Sequence, residues 1–150
     1  MTLEFIVQTV LTGLLAAYIL LVMALWNTRL GLPRLDFAKA MAALTYGESF
    51  EGKDPPYWAG QIVIYINGVF FTLLYATYAV QFIPGTPLIQ GAIWGVVLWA
   101  VSGIFYVPVY LREGFFLSHI HPMAWFASLI AHGGFGLIVG WLAPVLPMAS

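Results

Sequence analysis

The chain has 150 residues, of which 62% are hydrophobic and 7% charged, with a net charge of −1 and no cysteine. So little charge cannot cover a soluble domain of this length, the lack of basic surface excludes nucleic acid as a natural partner, and the missing cysteine removes disulfides, thiolate metal sites, iron–sulfur clusters and cysteine nucleophiles together. A hydrocarbon core about 30 Å thick takes roughly 20 apolar residues per helix, and four such runs predict an all-α membrane protein: one domain over 1–150, a four-transmembrane-helix bundle with a short interfacial helix between helices one and two.

The first span is expected over residues 5–26. Its flank differs from that of a secretory leader, because Glu4 is the one charge before Trp26 and the run exceeds an h-region of about 7–15 residues. Thr9, Gly13, Ala16 and Leu20 share one face at helical spacing, and small residues on a face let a neighbouring backbone come close. Residues 27–59 form the longest polar segment and hold Arg29, Arg34, Lys39 and Lys53, four of the five basic residues. Asp36 is placed to cap a short helix ending before Gly47. Phe37, Met41 and Leu44 would form its apolar face, suited to the membrane interface or to a partner subunit. Asp54-Pro55-Pro56 breaks the chain, and Tyr57 and Trp58 fall where aromatic side chains anchor a helix at the headgroups.

The second span is expected over 60–82. Gln61, Tyr65, Gly68, Thr72 and Tyr75 make a polar and small stripe that should face protein rather than lipid. Asn67 lies off that stripe with no evident partner. After the turn Pro84-Gly85-Thr86-Pro87, the third span runs over 88–110. It carries Gly91-x-x-x-Gly95, then Trp99, Ser102 and Tyr106 near one face, with Pro108 as a potential kink. The fourth runs over 122–142, Pro122 suiting a first-turn position, and carries Gly136-x-x-x-Gly140. The two glycine pairs are expected to meet at one depth as the tightest contact of the bundle, with His132 pointing into it. Leucine at Gly95 or Gly136 should then cost more than leucine at Gly13.

No charge lies deep in any span, which argues against ion pumps, proton relays and voltage sensors, and no internal repeat supports an inverted-repeat transporter. The basic residues fall in the first and third connections. The positive-inside rule therefore predicts a multi-pass protein of the cytoplasmic membrane with both termini outside.

All three histidines fall between Ser118 and Trp141. His119 and His121 are a closely spaced pair at the mouth of the last span, either polar boundary residues or weak metal ligands. His132 is 11 residues beyond His121, roughly 16 Å along a straight helix, too far for one metal to bridge. It is expected to bond across the bundle to Ser102, Tyr106 or Thr72, or to act as an axial ligand to haem or chlorophyll or as a copper ligand. In the cofactor case the adjacent Gly133-Gly134 would leave room for a flat macrocycle. No serine–histidine–carboxylate arrangement and no phosphate-binding glycine loop is present, so no catalytic site of its own is expected.

Several features resemble a family of small prokaryotic four-helix membrane proteins known as a domain of unknown function. They are Gly31-Leu32-Pro33-x-x-Asp36, Gly68 followed by Leu74-Tyr75, Gly91 to Trp99 with Pro108, and Ser128 to His132 followed by Gly136 and Gly140. The family pattern carries a histidine one turn before the helix-two glycine, where this chain has Ile64. The resemblance implies an accessory, structural role beside larger subunits of a respiratory or photosynthetic electron-transfer complex. The alternatives are a redox protein with a cofactor on His132 and a small-molecule carrier.

Overall fold

The computed structural model describes residues 1–47 and 53–145, and among these the secondary structure is helical. Four stretches are long and apolar enough to cross a membrane: Leu3–Leu30, Tyr57–Thr77, Pro87–Leu111 and Ala124–Leu142. The chain is thus a multi-pass helical membrane protein.

Helix α1 (Leu3–Trp26) starts at Thr2, whose hydroxyl accepts the Phe5 N–H at 3.2 Å. A 3₁₀ turn over Asn27–Leu30 follows and stops at Gly31, whose φ of +73° is a left-handed conformation that glycine adopts without steric cost. The Leu35 N–H then donates to the Ala24 carbonyl, folding the chain back on α1. Asp36 caps α2 (Phe37–Tyr46) by accepting the Lys39 N–H at 3.0 Å. The inward face of α2 differs from the expected one. Ala38, Met41 and Ala42 are buried, whereas Leu44 is exposed. The reason is a close approach to α3 (Tyr57–Thr77): a Cβ on Gly60 would collide with the Ala38 carbonyl and come within 2.8 Å of the Ala42 nitrogen. Only small side chains allow that contact, so α2 packs against this chain's own α3.

The α-helical part of the second span ends at Thr77, and residues Ala79–Phe82 form a separate 3₁₀ turn. Helix α4 (Pro87–Val101) continues as a π-helix over Ser102–Leu111, with Pro108 inside it. Pro108 removes one N–H from the ladder, and the chain answers with wider winding along a whole stretch. Helix α5 (Ala124–Leu142) begins two residues after Pro122, which lies in the preceding turn and not in the first helical turn as expected.

Helix packing runs α3 on α1, α1 on α5 and α5 on α4. Gly13 of α1 meets the backbone of Gly68 and Val69 in α3, and Gly91 and Gly95 of α4 meet the backbone of His132, Gly136 and Gly140 in α5. The bundle therefore has one open side, between α3 and α4. Two buried clusters close its ends. At the end where α1 begins and α5 ends, Tyr75, Trp94, Phe135 and Val139 pack together, with the Tyr75 and Trp94 rings 6.1 Å apart across the open side. At the basic end, Ala24, Leu35, Val107, Leu117, Ala124 and Ala127 form the second cluster, covered by Phe37 from α2.

Candidate functional site

Between the two clusters, at mid-depth, lies a cleft of about 330 Å³. Its back wall is Ala17 and Leu20 of α1 with Ser128, His132 and Phe135 of α5; its sides are Gly68 and Phe71 of α3 and Leu98 and Tyr106 of the third span. Phe37 and Met41 of α2 close it toward the basic end. The remaining edge reaches the outer surface, because Asn67, Val101 and Phe105 line the cleft and are exposed, Val101 at 56% and Phe105 at 59%. That edge opens outward between α3 and α4. A mostly apolar cleft with a few convergent polar groups is the usual form of a small-molecule site.

The polar groups are Asn67, Ser102, Tyr106, Tyr110, Ser128 and His132. The Tyr106 hydroxyl donates to the Met41 sulfur at 3.2 Å, tying the π-helix to α2. His132 Nδ1 lies 2.9 Å from the Ser128 carbonyl oxygen and 3.3 Å from the Ser128 hydroxyl. A carbonyl oxygen only accepts, so the short contact requires the proton on Nδ1. In the neutral ring Nε2 is then an acceptor with a free lone pair, since the partner of one ring nitrogen decides the state of the other. The ring meets Phe37 of α2 edge-on, 5.9 Å between centroids.

This corrects two expectations for His132. Its hydrogen bond is to its own helix one turn back, not across the bundle: Tyr106 is engaged with Met41, and the buried Thr72 hydroxyl has no partner. At the α4–α5 contact it is the His132 carbonyl, not the ring, that meets Gly95, a Cβ on which would lie 2.5 Å from that oxygen. The ring turns into the cleft instead. Asn67, which the polar stripe of the second span left unplaced, also lines this space.

Of the Gly133-Gly134 pair, Gly134 is packed on Met23 and Ile19 of α1, whereas a Cβ on Gly133 would meet nothing within 4 Å. His119 and His121 are engaged separately at the basic end. His119 Nδ1 lies 3.3 Å from the Arg112 carbonyl, and His121 Nδ1 accepts the Met123 N–H at 3.0 Å. Among the described residues no three His, Cys, Asp or Glu side chains come together as a metal site would need.

The loop that holds these two histidines is strained. Arg112, Phe116 and Leu117 have φ of 59°, 52° and 64°, a region costly for bulky residues. Phe116 is held there by packing: its ring lies against Gly103 and stacks on Trp99, 4.5 Å between centroids. Trp99 in turn donates its indole N–H to the Trp125 carbonyl at 3.0 Å. This aromatic lock fixes the π-helical wall of the cleft against α5. Asn27 is a positioning residue that composition and periodicity did not single out. It is 1% exposed, and its amide donates to the Ala127 carbonyl at 3.0 Å, joining the end of α1 to α5.

Comparison with protein-family models, with curated proteins and with solved structures finds no match to this chain.

Proposed function

We propose that the protein is a membrane-embedded binding module that takes a small lipophilic molecule from the bilayer into the cleft between α3 and α4. The observation that carries this reading is the cleft itself: a mid-depth space of about 330 Å³ with an apolar lining, an edge open on the bilayer side and a free imidazole nitrogen. Cavities of roughly 300–1,000 Å³ suit small ligands. The test is to purify the chain and a Ser102→Phe variant in mild detergent and compare their organic extracts by mass spectrometry. A molecule carried by the first and missing from the second is expected. Identical extracts from two folded proteins would remove the reading.

A second reading keeps the chain as an accessory subunit of a larger membrane electron-transfer complex. It is favoured by the third span, an 18-residue apolar stretch of which is only 22% buried against 39–44% for such stretches of the other three, leaving one long apolar flank free for other helices. Cross-linking in native membranes tests it: adducts formed from Val97 or Ile104 positions to a larger subunit support it, and adducts to lipid alone refute it.

For the orientation, we place the end holding Arg29, Arg34, Lys39 and Arg112 in the cytoplasm by the positive-inside rule, with α2 at that interface and both termini outside.

A further inference from the structure

We infer that the ligand of this cleft presents a phenolic hydroxyl, which donates its hydrogen bond to His132 Nε2. The inference rests on the cleft reading above and adds the chemical class of the ligand. The hydrogen-bond polarity follows from the backbone. Because Nδ1 spends its proton on the Ser128 carbonyl at 2.9 Å, Nε2 offers a lone pair and no proton, so it selects a donor and rejects a ligand offering only carbonyl or ether oxygens. No hydrogen bond from another described residue reaches Nε2, and the cleft that His132 lines has mostly apolar walls. An acceptor left unpaired there carries a cost that a hydroxyl would relieve.

The ring part of the assignment comes from the walls. Phe37, Phe71, Phe105, Tyr106 and Phe135 all line the cleft, and aromatic pairs add to simple burial when edges and faces can meet. Phe37 already makes one edge-on contact with the imidazole. A single hydroxylated ring seated beside His132 would meet these faces, and an attached alkyl chain would leave past Val101 and Phe105 into lipid. Among the described residues that line the cleft none is charged, which suits an uncharged headgroup.

The test uses the full chain in lipid nanodiscs and three radiolabelled probes: a 4-alkylphenol, its methyl ether and an n-alkanol of equal length. Binding is read against empty nanodiscs. The expected result is that the alkylphenol binds about tenfold more tightly than its methyl ether, the size of one well-placed hydrogen bond. His132→Phe should erase that difference. The first comparison is made on the unaltered chain, so it stands even if the variant folds poorly. Equal binding of phenol and ether, both lost in Ser102→Phe, would overturn the hydroxyl assignment and leave the cleft reading intact. An alkanol as tight as the phenol, with the same dependence on His132, would overturn the aromatic part. No binding of any probe above empty nanodiscs, or binding indifferent to Ser102→Phe, would overturn the cleft reading itself.

Discussion

Asn27 and Ala127 are 100 residues apart in sequence, yet the Asn27 amide donates to the Ala127 carbonyl at 3.0 Å in a fully buried contact. This is the polar tie between the basic ends of α1 and α5, and it sits inside the alanine-rich cluster that seals the cleft there. Asn27→Ala removes both the bond and side-chain volume from a closed site. It should lower stability by about 1–3 kcal/mol, whereas Thr28→Ala, one residue on and exposed, should change it little. Thermal unfolding in a fixed detergent compares the two; equal effects would mean the bond contributes nothing.

Gly13 lies against Gly68 in an antiparallel pair, so Thr9 and Thr72 fall at the same level of the α1–α3 interface. Both hydroxyls are buried without a partner. Replacing an unpartnered hydroxyl by a methyl of the same shape removes a desolvation cost. Thr9→Val and Thr72→Val are therefore expected to be neutral or stabilising by up to about 1 kcal/mol. Thr12 is the contrast, since its hydroxyl donates to the Leu142 carbonyl at 3.3 Å. Thr12→Val should cost about 0.5–1.5 kcal/mol. If all three valines behave alike in chemical denaturation, the unpartnered state of Thr9 and Thr72 is not what sets their effect.

The orientation proposed above has its own test. A phosphatase reporter fused after Ser150 should be active, and a cytoplasm-only fluorescent reporter at the same point should be dark. Moving the basic residues outward is the alternative, and it would show as the reverse pattern.

The four spans were legible because apolar run length is set by bilayer thickness, and Asp36 and Gly47 mark the ends of α2 by local backbone chemistry that needs no tertiary information. The cleft was not. Each helical wheel orders one helix against itself, but which wheel faces which depends on the packing order α3, α1, α5, α4. That order leaves α3 and α4 apart and turns the off-stripe Asn67 toward the gap. The partner of His132 is hidden from the sequence for a related reason: it is a backbone carbonyl in its own helix, which no pattern of polar side chains across the bundle reveals. Leu44 and the alanines of α2 exchanged roles because contact with Gly60 is a matter of backbone approach, where hydrophobicity alone says nothing. The π-helical turn had one visible cue, Pro108, which reads equally well as a kink.

The glycines of α5 provide the most discriminating mutational test, because four of them within eight residues meet different surroundings. A Cβ on Gly136 would collide with the Gly91 carbonyl and lie 2.7 Å from the Gly95 nitrogen; one on Gly140 would meet the Pro87 carbonyl and the Gly91 Cα. These are backbone atoms, which cannot swing aside as a side chain can, so the helices must separate where dispersion is the main attraction. At Gly133 a Cβ would meet nothing within 4 Å. Gly136→Ala should therefore cost on the order of 1–3 kcal/mol, as overpacking does elsewhere, while Gly133→Ala should be neutral or gain up to about 1 kcal/mol from helix propensity. Gly13 is not the more tolerant position expected from pairing the glycines of the third and fourth spans, since its Cβ would lie 2.6 Å from the Val69 Cα and 2.9 Å from the Gly68 carbonyl oxygen. Gly13→Ala should fall in the same costly class as Gly136→Ala. The measurement is unfolding by denaturant in mixed micelles, with helicity followed by circular dichroism. Should Gly133→Ala destabilise as much as Gly136→Ala, the α4–α5 contact is not the one described.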